Sequence, residues 1–129
     1  MKKLVIMLVM LFTMSVYSFG ENNVVNKVEN IEKYSFNVNH QKLANALDLS
    51  KDQFESLDVL FGEFENGMVL ASEMDSDESR YKVLHNTINT NVRYMRYILN
   101  DEQYRHYLKL LNLTLEHRGF DIPKITKNY

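Results

Sequence analysis

Catalysis or metal binding in a short chain needs nucleophiles, ligands or titratable pairs at workable spacing. The histidines are His40, His85, His106 and His117, and there is no cysteine. No two histidines stand four apart and no His-Glu-x-x-His run occurs, so the usual helical zinc patterns are absent. His106 and His117 fall on nearly one helix face, but the helical rise separates them by about 16 Å, too far to share a metal. They read as solvated helix residues. Missing thiols exclude thiolate zinc sites, iron–sulfur clusters, cysteine nucleophiles and thiol redox chemistry. "DSDES" at Asp75–Ser79 has the acids of a calcium loop without its glycine and its bidentate glutamate. A helix start with a charged first turn explains it more simply. Glu63 and Glu65 fall on different faces of a helix, and no Ser/His/Asp order, GxSxG elbow or phosphate-cradling glycine loop is present. The expectation is a protein that is not an enzyme and takes no cofactor. Asn112-Leu-Thr114 matches a glycosylation sequon, but it lies within a predicted helix among leucines and is discounted.

The aromatic residues suggest binding instead. Tyr81, Tyr94, Tyr97, Tyr104, Tyr107 and Tyr129 crowd the second half, with Arg93, Arg96 and Arg105 interleaved. Tyrosine and arginine are enriched at binding hot spots, and Met68, Met74 and Met95 add adaptable apolar surface. Core tyrosines with hydroxyls reaching the surface are the competing account. Tyr81 and Tyr104 lie on core stripes. Tyr94, Tyr97 and Tyr107 lie off them and, with Arg93, Arg96 and Arg105, form the candidate partner surface.

Helices must position these residues. Phe54, Leu57, Phe61, Phe64, Met68 and Ala71 recur every three or four positions and predict a helix over 51–74. Gly62 and Gly67 weaken it by about 1 kcal/mol each relative to alanine, unless they let another backbone approach closely. Tyr81, Leu84, Ile88, Val92, Met95 and Leu99 predict a second helix over 77–98, capped by Asp75 or Ser76. Tyr104, Leu108, Leu111 and Leu115 predict a third over 101–117, with Gly119 as its left-handed stop. Asn39 can cap a brief helix over 40–47 that buries Leu43 and Leu47. Before it, Tyr34, Phe36 and Val38 alternate as in an extended strand. The expected fold is all-α: antiparallel helical hairpins, with three main helices plus one short N-terminal helix. The divisions are a signal peptide over 1–20, a mobile segment over 21–39 leading into a helical domain over 40–119, and an irregular tail over 120–129.

One phrase is written twice, fifty positions apart: "LSKDQF" from Leu49 and "LNDEQY" from Leu99. Ser50 with Gln53, and Asn100 with Gln103, fit the capping box, in which the cap side chain and the residue three positions on satisfy each other's amides. Leu49 and Leu99 precede the caps, where an apolar side chain can staple the incoming chain to the new helix. The phrase also resembles the LTxxQ motif that occurs twice in the Spy/CpxP-like periplasmic proteins. Leu49, Ser50 and Gln53 match with serine for threonine, and Leu99, Asn100 and Gln103 with asparagine there. The layout is also similar to that of small exported bacterial proteins generally. The resemblance implies a small exported all-helical protein, an ATP-independent chaperone or stress-sensing partner whose bent hairpins present a concave face to unfolded clients. This chain departs from that pattern in its negative charge and its short motif spacing.

Address and charge complete the picture. Lys2 and Lys3 followed by the uncharged run Leu4–Phe12 and small residues near Ser18 and Gly20 have the layout of a secretory signal peptide, with cleavage after Ser18 or after Gly20. The apolar run is shorter than the roughly 20 residues of a comfortable span, so no stable membrane span is expected after cleavage. The expected location is periplasmic or secreted. From Lys51 to Arg80 nine acids face two bases, and from Tyr81 to Tyr129 eight bases face four acids. A nucleic-acid partner is not expected from so few bases. The expected function is a small exported binding protein, chaperone-like or linked to envelope stress, that contacts apolar segments of an unfolded client or protein partner. The alternative is a structural or partner-binding envelope subunit without chaperone activity, and a homodimer remains open.

Overall fold

A computed structural model describes residues 33–122 and 125. The expected signal peptide, residues 21–32 of the segment after it and most of the tail lie outside the described residues. The described residues form four helices and no strand: α1 (His40–Ala46, 7 residues), α2 (Lys51–Ser72, 22 residues), α3 (Asp77–Ile98, 22 residues) and α4 (Asp101–His117, 17 residues).

Each helix starts where a side chain can take up free amides. Asn39 Oδ1 accepts from the amide of Lys42 and Ser76 Oγ from that of Ser79, while Ser50 and Asn100 open α2 and α4 with complete capping boxes. Acids occupy the first turns of α2, α3 and α4, the sign the helix dipole favours. The helix ends are equally defined. After α1, Asp48 takes φ 58°, its amide bonds Asn45 O and the amide of Leu49 bonds Ala44 O. After α4, Gly119 takes φ 84°, its amide bonds Glu116 O and that of Phe120 bonds Leu115 O. Both are Schellman stops, with an aspartate in the left-handed position the first time and a glycine the second. Helix α2 stops at Ser72, two residues earlier than its apolar pattern predicts. Its last turn tightens at Glu73, and Arg80 Nη2 reaches back to Met74 O at 2.9 Å.

The predicted seams are the core. Leu57, Phe61, Phe64, Met68 and Ala71 of α2 and Leu84, Ile88, Val92 and Met95 of α3 are buried, as are Leu43 and Leu47 at α1. Two seam residues depart from this, both near the start of their helix: Phe54 of α2 is only partly buried, and Tyr81 of α3 is exposed, its ring tilted against His85. Tyr34, Phe36 and Val38 are buried and Ser35 and Asn37 between them exposed, but no strand forms: Lys33 and Tyr34 are helical and residues 35–39 have no regular secondary structure, so the alternation comes from packing against the core. Edge and stacked contacts run from Tyr34 to Phe120 (5.0 Å between centroids), Phe120 to Phe36 (6.3 Å), Phe36 to Phe64 (5.3 Å), Phe64 to Phe61 (5.6 Å) and Phe61 to Tyr107 (6.0 Å). Each such pair adds about 0.5–1.5 kcal/mol beyond area burial. Arg118 secures the segment by donating to Lys33 O and Ser35 O and lying over the Phe36 ring. Asn112, the sequon residue, exchanges two hydrogen bonds with the backbone of Ile125, so its amide ties that residue to α4.

Tyr107 is fully buried and its hydroxyl donates to Asn91 Oδ1. Burial, and secondarily the neighbouring Tyr104, push this phenol far above its ordinary value of 10.0. The folded state therefore keeps a proton that the unfolded chain loses above pH 10, and the associated stability falls as pH rises past that value. Replacing Tyr107 with Phe should destabilise the fold by about 1–3 kcal/mol at neutral pH, and the gap to the parent chain should narrow above pH 10 in urea titrations.

The two α2 glycines should respond in opposite directions. A Cβ on Gly62 meets nothing within 4 Å, so Gly62→Ala should stabilise by about 0.5–1 kcal/mol. A Cβ on Gly67 would come within 2.5 Å of Thr87 Oγ1, so Gly67→Ala should destabilise by about 1–2 kcal/mol, with most of the loss recovered on adding Thr87→Ala. Thermal or urea denaturation reads both.

Candidate functional site

The repeated phrases meet in space. Within its own box, Gln53 Oε1 accepts from the amide of Ser50 at 3.0 Å, and Gln103 Oε1 from that of Asn100 at 2.9 Å. The two carboxamides then face each other. Gln53 Nε2 donates to Gln103 Oε1 at 2.8 Å, and Gln103 Nε2 donates to Gln53 Oε1 at 3.3 Å. The second proton of each Nε2 goes to the backbone carbonyl just before the other phrase: Ile98 O for Gln53 at 2.8 Å, Asp48 O for Gln103 at 3.1 Å. Ile98 and Asp48 each stand two residues before a cap, so the arrangement repeats itself with a fifty-residue offset. Both donors and both lone pairs of each carboxamide are used. Leu99 is buried and Leu49 partly buried beside this knot.

The knot performs no chemistry; it is a tie. It closes the excursion of chain through α2 and α3 and fixes the first turn of α2 against the last turn of α3. Just beyond it, a groove of about 670 Å³ opens between those two helices. Helix α2 supplies Asp52, Glu55, Val59 and Leu60, and α3 supplies Tyr94, Tyr97 and Ile98. Val59 is 63%, Tyr94 50% and Tyr97 80% exposed. These exposed side chains make the groove the candidate site. A second hollow of about 480 Å³ continues along the same seam. It shares Leu60 and is lined more by polar groups, among them Glu63, Asn66, Thr87 and Asn91.

The candidate surface residues separate. Tyr94 and Tyr97 share the groove. Tyr107 does not belong to it and is corrected to a core residue. It lies three positions after Tyr104 and four before Leu111, on the buried face of α4 that also takes in Leu110 and Thr114. That face is wider than the four-residue stripe read from the sequence, and Asn91 makes burial of the hydroxyl tolerable. Arg96 turns away, with its guanidinium over Tyr104 at 5.2 Å and Nη1 3.3 Å from Asp101. Arg93 and Arg105 are exposed and line neither hollow. The charges at the groove are instead the acids Asp52 and Glu55. Spacing puts positions 52, 55 and 59 on one helix face, but only the packing of α2 against α3 sets that face beside the tyrosines. His40 is partly buried at the start of α1. Its Nδ1 lies 2.6 Å from Asp58 and its Nε2 3.4 Å from Glu65, and Phe61 packs beside its ring.

Gln53→Ala and Gln103→Ala should each destabilise by about 1–3 kcal/mol, and the double variant should lose about 1–2 kcal/mol less than their sum, because one broken pair is counted twice. Gln53→Glu puts an oxygen against Ile98 O and Gln103 Oε1. It should destabilise strongly at neutral pH and partly recover in acid, where the carboxyl donates again. Chemical denaturation of the set at two pH values tests this.

No family model, curated protein or solved structure matches this chain.

Proposed function

We propose that this protein is a small exported binding protein that holds apolar segments of protein partners, in the manner of a chaperone, without nucleotide, metal or covalent chemistry. The observation that carries it is the groove between α2 and α3, where Tyr94, Tyr97 and Val59 stay exposed around an apolar floor. Tyrosines give large contact area for little lost side-chain entropy and tolerate varied partners. Export to the periplasm or the exterior rests on Lys2, Lys3 and the apolar run after them. No described helix is long and apolar enough to cross a membrane.

The architecture we propose for this role is an antiparallel hairpin of α2 and α3, with α1 and α4 packed on the face away from the groove. It is supported by the four-residue connection 73–76, by Gln53 meeting Ile98 at one end and by Gly67 meeting Thr87 further along. Kinship with the LTxxQ proteins rests on the two capping phrases, both of which start helices.

Mature protein should suppress light scattering from a thermally aggregating client at near-stoichiometric amounts with no nucleotide present. The double variant Tyr94→Ser/Tyr97→Ser should lose most of that suppression while keeping its melting temperature. Tyr107→Phe should keep the suppression below its own melting temperature. Absence of suppression even in large excess would instead favour a dedicated partner-binding subunit of the envelope.

A further inference from the structure

The two walls of the groove differ in a way that selects what can lie between them. Helix α3 offers the tyrosine rings at 94 and 97; helix α2 offers Asp52 and Glu55, one turn apart and both exposed. Two other acids of α2, Asp58 and Glu65, face His40, whereas among the described residues no cation engages Asp52 or Glu55. The apolar lining comes from both walls, Val59 and Leu60 on α2 and Ile98 on α3. We propose that the groove selects cationic amphipathic peptide segments, in which apolar side chains alternate with lysine or arginine.

Such a segment satisfies every part of the surface. Its apolar side chains cover the floor. The methylene stems of its lysines or arginines lie along the apolar rim while their charges reach the two carboxylates. The same cations can sit over the tyrosine faces, which attract positive charge. Acids in excess from Lys51 to Arg80 add a longer-range attraction, effective over about 10 Å at moderate salt. An acidic segment would meet Asp52 and Glu55 head on, so charge sets the preference and apolar contact the affinity. The proposal rests on the groove being the binding surface, and it names the class of segment bound there.

The test uses full mature protein and two short fluorescein-labelled amphipathic peptides of the same pattern, one of leucine and lysine, the other of leucine and glutamate. Fluorescence anisotropy should show the lysine peptide binding at least about tenfold more tightly, with the difference shrinking as salt rises. Asp52→Asn/Glu55→Gln should weaken the lysine peptide about tenfold and strengthen the glutamate peptide. Glu116→Gln/Asp121→Asn, with the same change in net charge at exposed positions outside the groove, should do neither. Tyr97→Ala should weaken both peptides. Circular dichroism confirms that each variant is folded, and the peptide comparison on the unmodified protein needs no variant at all. Equal binding of both peptides, or an equal loss in both charge variants, overturns the selectivity while leaving an apolar binding groove intact. Binding of neither peptide overturns the groove as well. Concentration-dependent self-association abolished by Tyr97→Ala, seen by sedimentation, overturns the proposal in favour of a second copy of the chain as occupant.

Discussion

Two side-chain amides close a fifty-residue excursion of this chain. Gln53 and Gln103 each cap their own helix, bond each other, and bond a backbone carbonyl of the opposite phrase. Without cysteines, the chain has no disulfide to hold the far ends of α2 and α3 together, and a fully used hydrogen-bond network takes that place. Such a network is directional. It fixes rotation as well as distance, because each carboxamide has two donors and two acceptors that must all find partners in one plane. Apolar packing alone would leave α2 freer to slide along α3.

The groove depends on that constraint. Its lining residues begin immediately after the tie, at Asp52 on α2 and at Ile98 on α3. Further along, Gly67 brings α2 close enough to α3 for Thr87 to occupy the space a side chain would fill. One end is set by hydrogen bonds and the other by close approach, and Tyr94, Leu60 and Val59 line the groove between them. The opposite faces of the same helices are saturated by the aromatic run from Tyr34 through Phe61 to Tyr107 and by Arg118 pinning the chain that leads into α1. The inner face is well filled and the outer one is left uncovered.

Polar pairs between elements add directionality to that packing. In the core, the hydroxyl of Tyr107 and the carboxamide of Asn91 pair across α4 and α3, and this pair requires a specific geometry in a place where hydrocarbon would accept many. Nearer the surface, His40 at the start of α1 lies between Asp58 and Glu65 of α2.

Local signals determined much of this protein. The helix starts at Asn39, Ser50 and Asn100, the start of α3 to within Asp75 or Ser76, the left-handed stop at Gly119 and most of the buried seams of α2 and α3 were legible in the sequence, because caps, glycines and a period near 3.5 act over a few residues. The exposure of Tyr94 and Tyr97 followed from the same periodicity. The burial of Tyr107, the exposure of Tyr81, the capture of His40 and the acids beside the tyrosines were decided only by the tertiary structure. Helical period gives the direction a side chain points along its own helix, but not how wide a face the neighbouring elements cover or which polar group waits there. The glutamines show the division most clearly. Their spacing from Ser50 and Asn100 made them caps, while only the packing of α2, α3 and α4 brought them together, since a bond across fifty residues leaves no mark in the few positions around either partner.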